Sequence, residues 1–229
     1  MIGYFIIIGL VSLLGMVMSG RLKSTFQKYS QYGLSSNMSG REVAQHMLNH
    51  YGIHDVKIVP ARGALTDHYN PKTKTIALSE PVFNSRSISA AAVAAHECGH
   101  AVQDATDYPM LNFRSNLVPL VQISSTVQRY LIMLVVFSVG AGMNGSLMLL
   151  IFTVTFGITC PFALVTLPVE FDASKRALAY LDNTGITHGA EYDGARKALW
   201  WAAMTYVVSA VGSIAMFLFF LLRFMGSRN

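Results

Sequence analysis

The chain has 229 residues, of which 52% are hydrophobic and only 13% charged, with a formal net charge of +5. An ordinary soluble domain carries roughly 25% charged residues, so this composition excludes one. The hydrophobic excess lies in blocks long enough to cross a bilayer; the positive balance therefore reports membrane topology and attraction to anionic lipid, and no nucleic-acid partner is expected.

From the N-terminus, Ile2 to Met18 is an uncharged run of 17 residues, near the lower limit for a transmembrane helix. No basic stretch precedes it and no small-residue cleavage site follows, so residues 1–20 read as a retained anchor. Residues 21–116 then have soluble-domain character. Ser39-Gly40-Arg41-Glu42 matches a capping box, Val43, Met47, Leu48 and Tyr51 recur at helical spacing, and Gly52 ends the helix. Val56 to Val59 reads as a short strand and Thr75 to Ser79 as another, the second preceded by the turn signal Tyr69-Asn70-Pro71-Lys72. The segment Arg62 to His68 is placed to form a sheet edge, along which an extended peptide would add as a strand.

The next helix carries the chemistry. Ser89 is the expected N-cap of the run Ala90 to Val102, which contains His96-Glu97-Cys98-Gly99-His100. Histidines four positions apart stack on one helix face, so both reach a single zinc ion, with Glu97 placed to take a proton from water at the metal. Composition alone produces such a motif in roughly half a percent of chains of this kind. The bland alternative is a pair of core histidines on an Ala-rich helix. Gly99 costs about 1 kcal/mol against Ala in mid-helix, so a facing backbone or second helix is expected against it. Cys98 lies about 200° around the helix from either histidine and reads as a small buried apolar residue. Cys160 lies in an apolar run, so no disulfide is expected, in keeping with a reducing compartment.

Leu117 to Gly140 is mixed, with Gln122, Ser124, Ser125, Gln128 and Arg129 crowding its first half. Centring Arg129 in the bilayer would cost about 2.5–3.5 kcal/mol, so it is assigned to the interface, with the helix beginning outside the membrane. A tight turn is expected at Ala141-Gly142-Met143-Asn144-Gly145. Ser146 to Leu167 supplies 22 uncharged residues and Leu199 to Leu222 another 24, each enough to span. The expected organisation is a membrane hairpin over 117–167, a segment 168–198 on the side of the motif, and a C-terminal membrane helix with a short tail over 199–229. Of 17 Lys and Arg, ten fall in residues 21–116 and four in 168–198. The positive-inside rule puts both connections in the cytoplasm and both termini outside, with Trp200 and Trp201 at the inner interface.

A catalytic zinc site needs a third protein ligand and an open fourth position. A helix is expected to start near Glu170, and three acids of this segment are open as ligands: Glu170, one of only five glutamates, then Asp172 and Asp193. First-turn acids favoured by the helix dipole are the alternative reading of Glu170 and Asp172. Asp104, four residues after His100, is placed to accept the imidazole's remaining N–H and fix its tautomer. His188, Arg196 and Tyr69 are unranked candidates for stabilising a transition-state oxyanion. His46, His50, His54 and His68 read as surface or packing residues.

The HECGH helix, then Val169-Glu170-Phe171-Asp172-Ala173-Ser174-Lys175-Arg176-Ala177, then Gly194-Ala195-Arg196-Lys197 leading into an apolar span, together resemble the bacterial YugP-type membrane zinc metallopeptidases over essentially the whole chain. More distantly the chain resembles the HtpX-like and CAAX-prenyl endopeptidases, where HExxH is joined by the Glu of an ExxxD motif. The resemblance implies His96, His100 and Glu170 as ligands of one Zn2+ and Glu97 as catalytic acid/base. The chain departs from the distant pattern at Ser174, which stands where those relatives have Asp, so Asp172 or Asp104 would have to supply the supporting carboxylate.

The expectation is thus a mainly α, polytopic membrane protein with about four transmembrane helices and a small α+β cytoplasmic zincin-like catalytic unit. Its function would be peptide hydrolysis at the cytoplasmic membrane surface, because Glu170 lies three residues, about 5 Å of helix, past Leu167. Its partners would be the lipid bilayer and membrane-associated peptide or protein substrates. A non-catalytic scaffold with structural zinc is the rival; a transporter fits less well, since no span carries paired ionisable groups at mid-depth.

Overall fold

The computed structural model describes residues 2–136 and 145–227. The expected turn at 141–145 lies, except for Gly145, outside the described residues, as does Arg228. The elements in chain order are α1 (Ile2–Ser30), α2 (Gly40–His50), β1 (Lys57–Ala61), β2 (His68–Asn70), β3 (Thr75–Ser79), α3 (Glu80–Phe83), α4 (Ile88–Ala105), α5 (Pro109–Val136), α6 (Gly145–Asn183) and α7 (Ala190–Gly226). Among the described residues, α1, α5, α6 and α7 are long and apolar enough to cross a membrane. The protein is a mainly α membrane protein, with one small sheet among the described residues.

The chain divides into two compact units, Met1–Met16 with Phe113–Leu167 and Tyr206–Asn229, and Val17–Asn112 with Pro168–Thr205. In the first, the side chains of Phe152, Phe156 and Phe220 stack with ring centroids 4.6 Å and 5.3 Å apart about Phe220, joined by Leu131 and Met216. Large apolar side chains such as Leu10, Leu13, Ile123 and Val154 stand exposed, as suits a lipid surround in which apolar surface is not penalised. The hydroxyls of Thr153, Thr155, Thr159 and Thr166 donate to carbonyls three or four residues earlier, which satisfies them without water.

The second unit is built around α4. Its alanines 90, 91, 92, 94 and 95 are fully buried, because short side chains let neighbours close on the helix from several sides. Val43, Ala44, Met47 and Leu48 of α2 pack on one side, Ile76 and Leu78 of β3 on another, and Ala177, Tyr180 and Leu181 of α6 on a third. The capping box is present: Ser39 Oγ accepts from the Glu42 N–H while the Glu42 carboxylate accepts from the Ser39 N–H at 2.7 Å. The sheet has order β1-β3-β2, with β1 parallel and β2 antiparallel to the central β3.

Four expectations change. The strand expected at Val56–Val59 runs Lys57–Ala61. Arg62 to His68 is not an edge strand: Gly63 and Leu65 take positive φ (94° and 58°), which turns the chain, and only His68 enters β2. The cap of α4 is Ser87, whose Oγ accepts from the Ala90 N–H at 3.3 Å, while Ser89 is buried inside the first turn. No helix starts at Glu170, since α6 continues through Pro168. The apolar stretch before it and the buried Val169, Ala173, Ala177 and Leu181 after it outweigh the one backbone hydrogen bond that proline removes. Glu170 is mid-helix, so the dipole reading of this acid does not apply.

Candidate metal centre

The site lies wholly within the second unit. One helical turn of α4 presents His96 and His100 side by side, with ring centroids 4.8 Å apart and planes at 82°. From α6, Glu170 Oε2 comes to 3.4 Å from His96 Nε2 and 3.7 Å from His100 Nε2. A ligand atom of each lies within 4.8 Å of the others. Ligands bound about 2.0–2.1 Å from a tetrahedral zinc sit about 3.3 Å from one another, close to the two distances from Glu170 to the imidazoles, whereas a direct N–H···O bond would draw them to about 2.9–3.0 Å. The donor set and its spacing fit a zinc ion. Asp172 and Asp193 do not join this group; Asp193 pairs with Arg196 at 3.0 Å on the exposed face of α7.

What brings the two helices so close is Gly99. A Cβ there would lie 2.5 Å from the Ala173 carbonyl oxygen on α6, so the glycine expected to face a backbone does so, and the contact sets the separation across which Glu170 reaches the histidines. Cys98 points the other way, its Sγ 3.5 Å from the Ala44 carbonyl of α2.

The electrostatics suit a cation at the centre. Burial pushes the Glu97 carboxyl above the usual carboxylate range; the two imidazoles pull it down, and the Glu170 and Asp67 carboxylates push it up again. At Glu170 burial acts in the same direction, but the imidazoles of His100 and His96 prevail and hold it well below that range. Burial disfavours a charged His100, yet the Glu170 carboxylate raises its pKa above the ordinary histidine value, with a further push from Glu97. Two buried carboxylates therefore look onto two imidazoles, and positive charge placed among them is stabilised.

The supporting contacts differ from expectation. Asp104 does not meet His100: its Oδ2 accepts from the Tyr69 hydroxyl at 2.5 Å and from Lys74 Nζ at 2.7 Å, tying the end of α4 to the sheet. Tyr69 is thereby committed to Asp104 and Arg196 to Asp193, so neither turns its polar group to the histidines in this structure. His188 is exposed in the turn after α6, its ring lying against Gly185. His46 and His50 pack on Tyr180. His100 Nδ1 instead faces Gln103 Oε1 at 3.0 Å. Gln103 Nε2 donates to the Val169 carbonyl and to Asp172 Oδ2, each at 2.8 Å. Asp172 thus reaches His100 only through Gln103. Ser174 Oγ lies 3.1 Å from His96 Nδ1, so the residue at the point of departure from the ExxxD pattern makes the imidazole contact itself. Gln103 goes unread in the sequence, and Ser174 reads there only as the departure from the ExxxD pattern and not as an imidazole partner; their signal is spacing, three residues after His100 and four after Glu170.

The family model described as "Putative neutral zinc metallopeptidase" matches residues 4–225. The chain belongs to that family. It is 40% identical over 210 residues, 91% of each chain, to the "Putative membrane protease YugP" of Bacillus subtilis (strain 168). No solved structure matches. A neutral zinc metallopeptidase needs zinc-ligating donors in one place, and the His96, His100 and Glu170 cluster supplies a set of the fitting chemical types.

Proposed function

We propose that this protein is a membrane-embedded, zinc-dependent endopeptidase in which His96, His100 and Glu170 hold the metal and Glu97 is the general base and acid. The observation that carries the reading is the meeting of the Glu170 carboxylate with both Nε2 atoms at 3.4 Å and 3.7 Å. A bound zinc supplies Lewis acidity, polarising the substrate carbonyl and acidifying a water molecule. Glu97, which directly follows His96, is buried and feels the charge of both imidazoles, accepts the water proton and passes it to the leaving amine, for which a carboxyl of raised pKa is suited. Hydrolysis then needs no covalent enzyme intermediate.

A purely structural site would call for a fourth protein ligand, whereas the group among the described residues has three members and Cys98 faces α2. The charge asymmetry of the connections supports a cytoplasmic active site with both termini outside. Glu170 follows Leu167 on the same continuous helix by about 5 Å of rise, which supports a metal just beneath the lipid headgroups and substrates that are membrane proteins or their juxtamembrane segments, damaged or misassembled chains included.

The test is Glu97→Gln in the full-length protein, assayed in liposomes on a reporter peptide that is either lipid-tethered or free. The wild type cleaves both and the tethered form faster, while Glu97→Gln keeps zinc and loses cleavage. Undiminished cleavage by Glu97→Gln would overturn the catalytic role, and equal rates on both peptides would overturn the substrate reading.

A further inference from the structure

We propose that Gln103 is the positioning residue of the metal centre, one amide that selects the tautomer of His100 and fixes the height of Glu170 against it. The inference rests on the metal reading above.

The amide's orientation follows from its neighbours. Gln103 is fully buried, and one end of its amide lies 2.8 Å from both the Val169 carbonyl oxygen and Asp172 Oδ2. A peptide carbonyl accepts only, and so does the Asp172 carboxylate, which is itself held by Arg176 Nε at 2.6 Å. That end must therefore be the NH2 group, with both hydrogens used. The opposite end is then the amide oxygen, an acceptor only, and it sits 3.0 Å from His100 Nδ1. Nδ1 must carry the imidazole's hydrogen, which leaves the lone pair on Nε2, the nitrogen that faces Glu170.

The second consequence comes from the same contacts. Val169 O belongs to the peptide bond that leads into Glu170, so the amide that orients one ligand also registers the helix carrying another. His96 has no such device: its Nδ1 meets the Ser174 hydroxyl, which donates or accepts with equal ease and so selects no tautomer. The choice made at His100 is thus written by three α6 groups, Arg176, Asp172 and the Val169 carbonyl, through one side chain of α4.

The experiment is zinc affinity by chelator competition on the full-length protein in detergent, with the visible spectrum of the cobalt-substituted form as a report on ligand geometry. Gln103→Leu is expected to bind zinc 10- to 100-fold more weakly with an altered cobalt spectrum. Gln103→Glu alone sets two carboxylates against each other and weakens binding. Adding Asp172→Asn restores an NH2 donor opposite Glu at 103, with its other oxygen still accepting from His100, and recovers part of the affinity, the remaining loss being the Val169 carbonyl left without its donor. A residue that merely filled space would show no such rescue, and the paired variants decide the matter even if Gln103→Leu fails to fold. Wild-type affinity and spectrum in folded Gln103→Leu, or a double variant no better than Gln103→Glu, would overturn the proposal alone. A wild type that takes up no zinc would overturn the metal reading and this proposal with it.

Discussion

Up to Leu167, the hydroxyls of α6 turn back on their own helix, Thr153 to the Leu149 carbonyl at 2.7 Å and Thr166 to that of Phe162 at 2.8 Å, while Leu147 and Val154 stand exposed. Beyond Pro168, polar groups of the same helix reach other elements instead: Glu170 toward both imidazoles, Asp172 to Gln103 and Ser174 to His96. The difference is one of surroundings. Where lipid is the solvent, a polar group is safest closed on its own backbone. Where a second helix supplies donors and acceptors, the same 3.6-residue periodicity sets up a site.

The contrast is broken most simply by removing one side chain from each stretch. Glu170→Ala is expected to abolish peptide hydrolysis, whereas Thr166→Val, which loses a hydroxyl that only doubles an existing backbone acceptor, leaves the rate near wild type and costs less than about 1 kcal/mol; a cleavage assay on both variants checks this. Next come the two glycines at helix contacts. In Gly99→Ala the new Cβ lies 2.5 Å from the Ala173 carbonyl oxygen, a backbone atom, but in Gly157→Ala it lies 3.3 Å from Cε2 of the Phe217 ring, which can give way. Gly99→Ala should destabilise by about 1–3 kcal/mol through overpacking despite the better helix propensity, and Gly157→Ala should stay within about 1 kcal/mol of wild type, as read by thermal unfolding.

A smaller effect separates a helix that ends in water from one that continues into lipid. Ser39→Ala removes the cap of α2 and should cost about 1 kcal/mol in equilibrium unfolding, while Thr159→Val, within the apolar part of α6, should cost less than about 0.5 kcal/mol. The smallest effect is acid dependence. Residues 145–167 hold no carboxylate, so that stretch adds nothing to it. Glu42, by contrast, is held below the ordinary 4.5 by the Ser39 N–H first, then by the Ser39 hydroxyl and Arg86. Its folded-state pKa is lowered, so its stabilisation is complete above the ordinary value and lost as pH falls through the lowered one. Glu42→Gln should flatten that part of an unfolding-versus-pH curve, and an unchanged curve would count against the capping box.

What was legible in the sequence is what local geometry decides. A glycine inside a helical run signals the close approach at Gly99, although its partner Ala173 lies far along the chain; the i, i+4 histidines and the Ser39–Glu42 box depend on neighbours in the chain, and all three stand in the structure. The choice between Asp104 and Gln103 does not: both follow His100 on its side of the helix, and a carboxylate is the better acceptor in isolation. Tyr69 of β2 and Lys74 of the turn before β3 draw Asp104 away, while α6 brings Asp172 and the Val169 carbonyl to Gln103, and no spacing along α4 encodes either event. Likewise Arg62 to His68 carries no strand alternation, and its positive-φ turns at Gly63 and Leu65 show only in the backbone. The change in polarity after Leu167 marks a boundary of composition but not of secondary structure, which is why the helix was expected to begin again at Glu170.

The central claim, that two turns of helix far apart in the chain make one metal site, is tested most directly by the metal content of purified full-length protein after exposure to a competing chelator. The account predicts about one zinc ion per chain in wild type, Glu97→Gln and Asp193→Ala, and none retained in Glu170→Ala or His96→Ala. Full zinc retention in Glu170→Ala, or loss in Asp193→Ala with Glu170 intact, would contradict it.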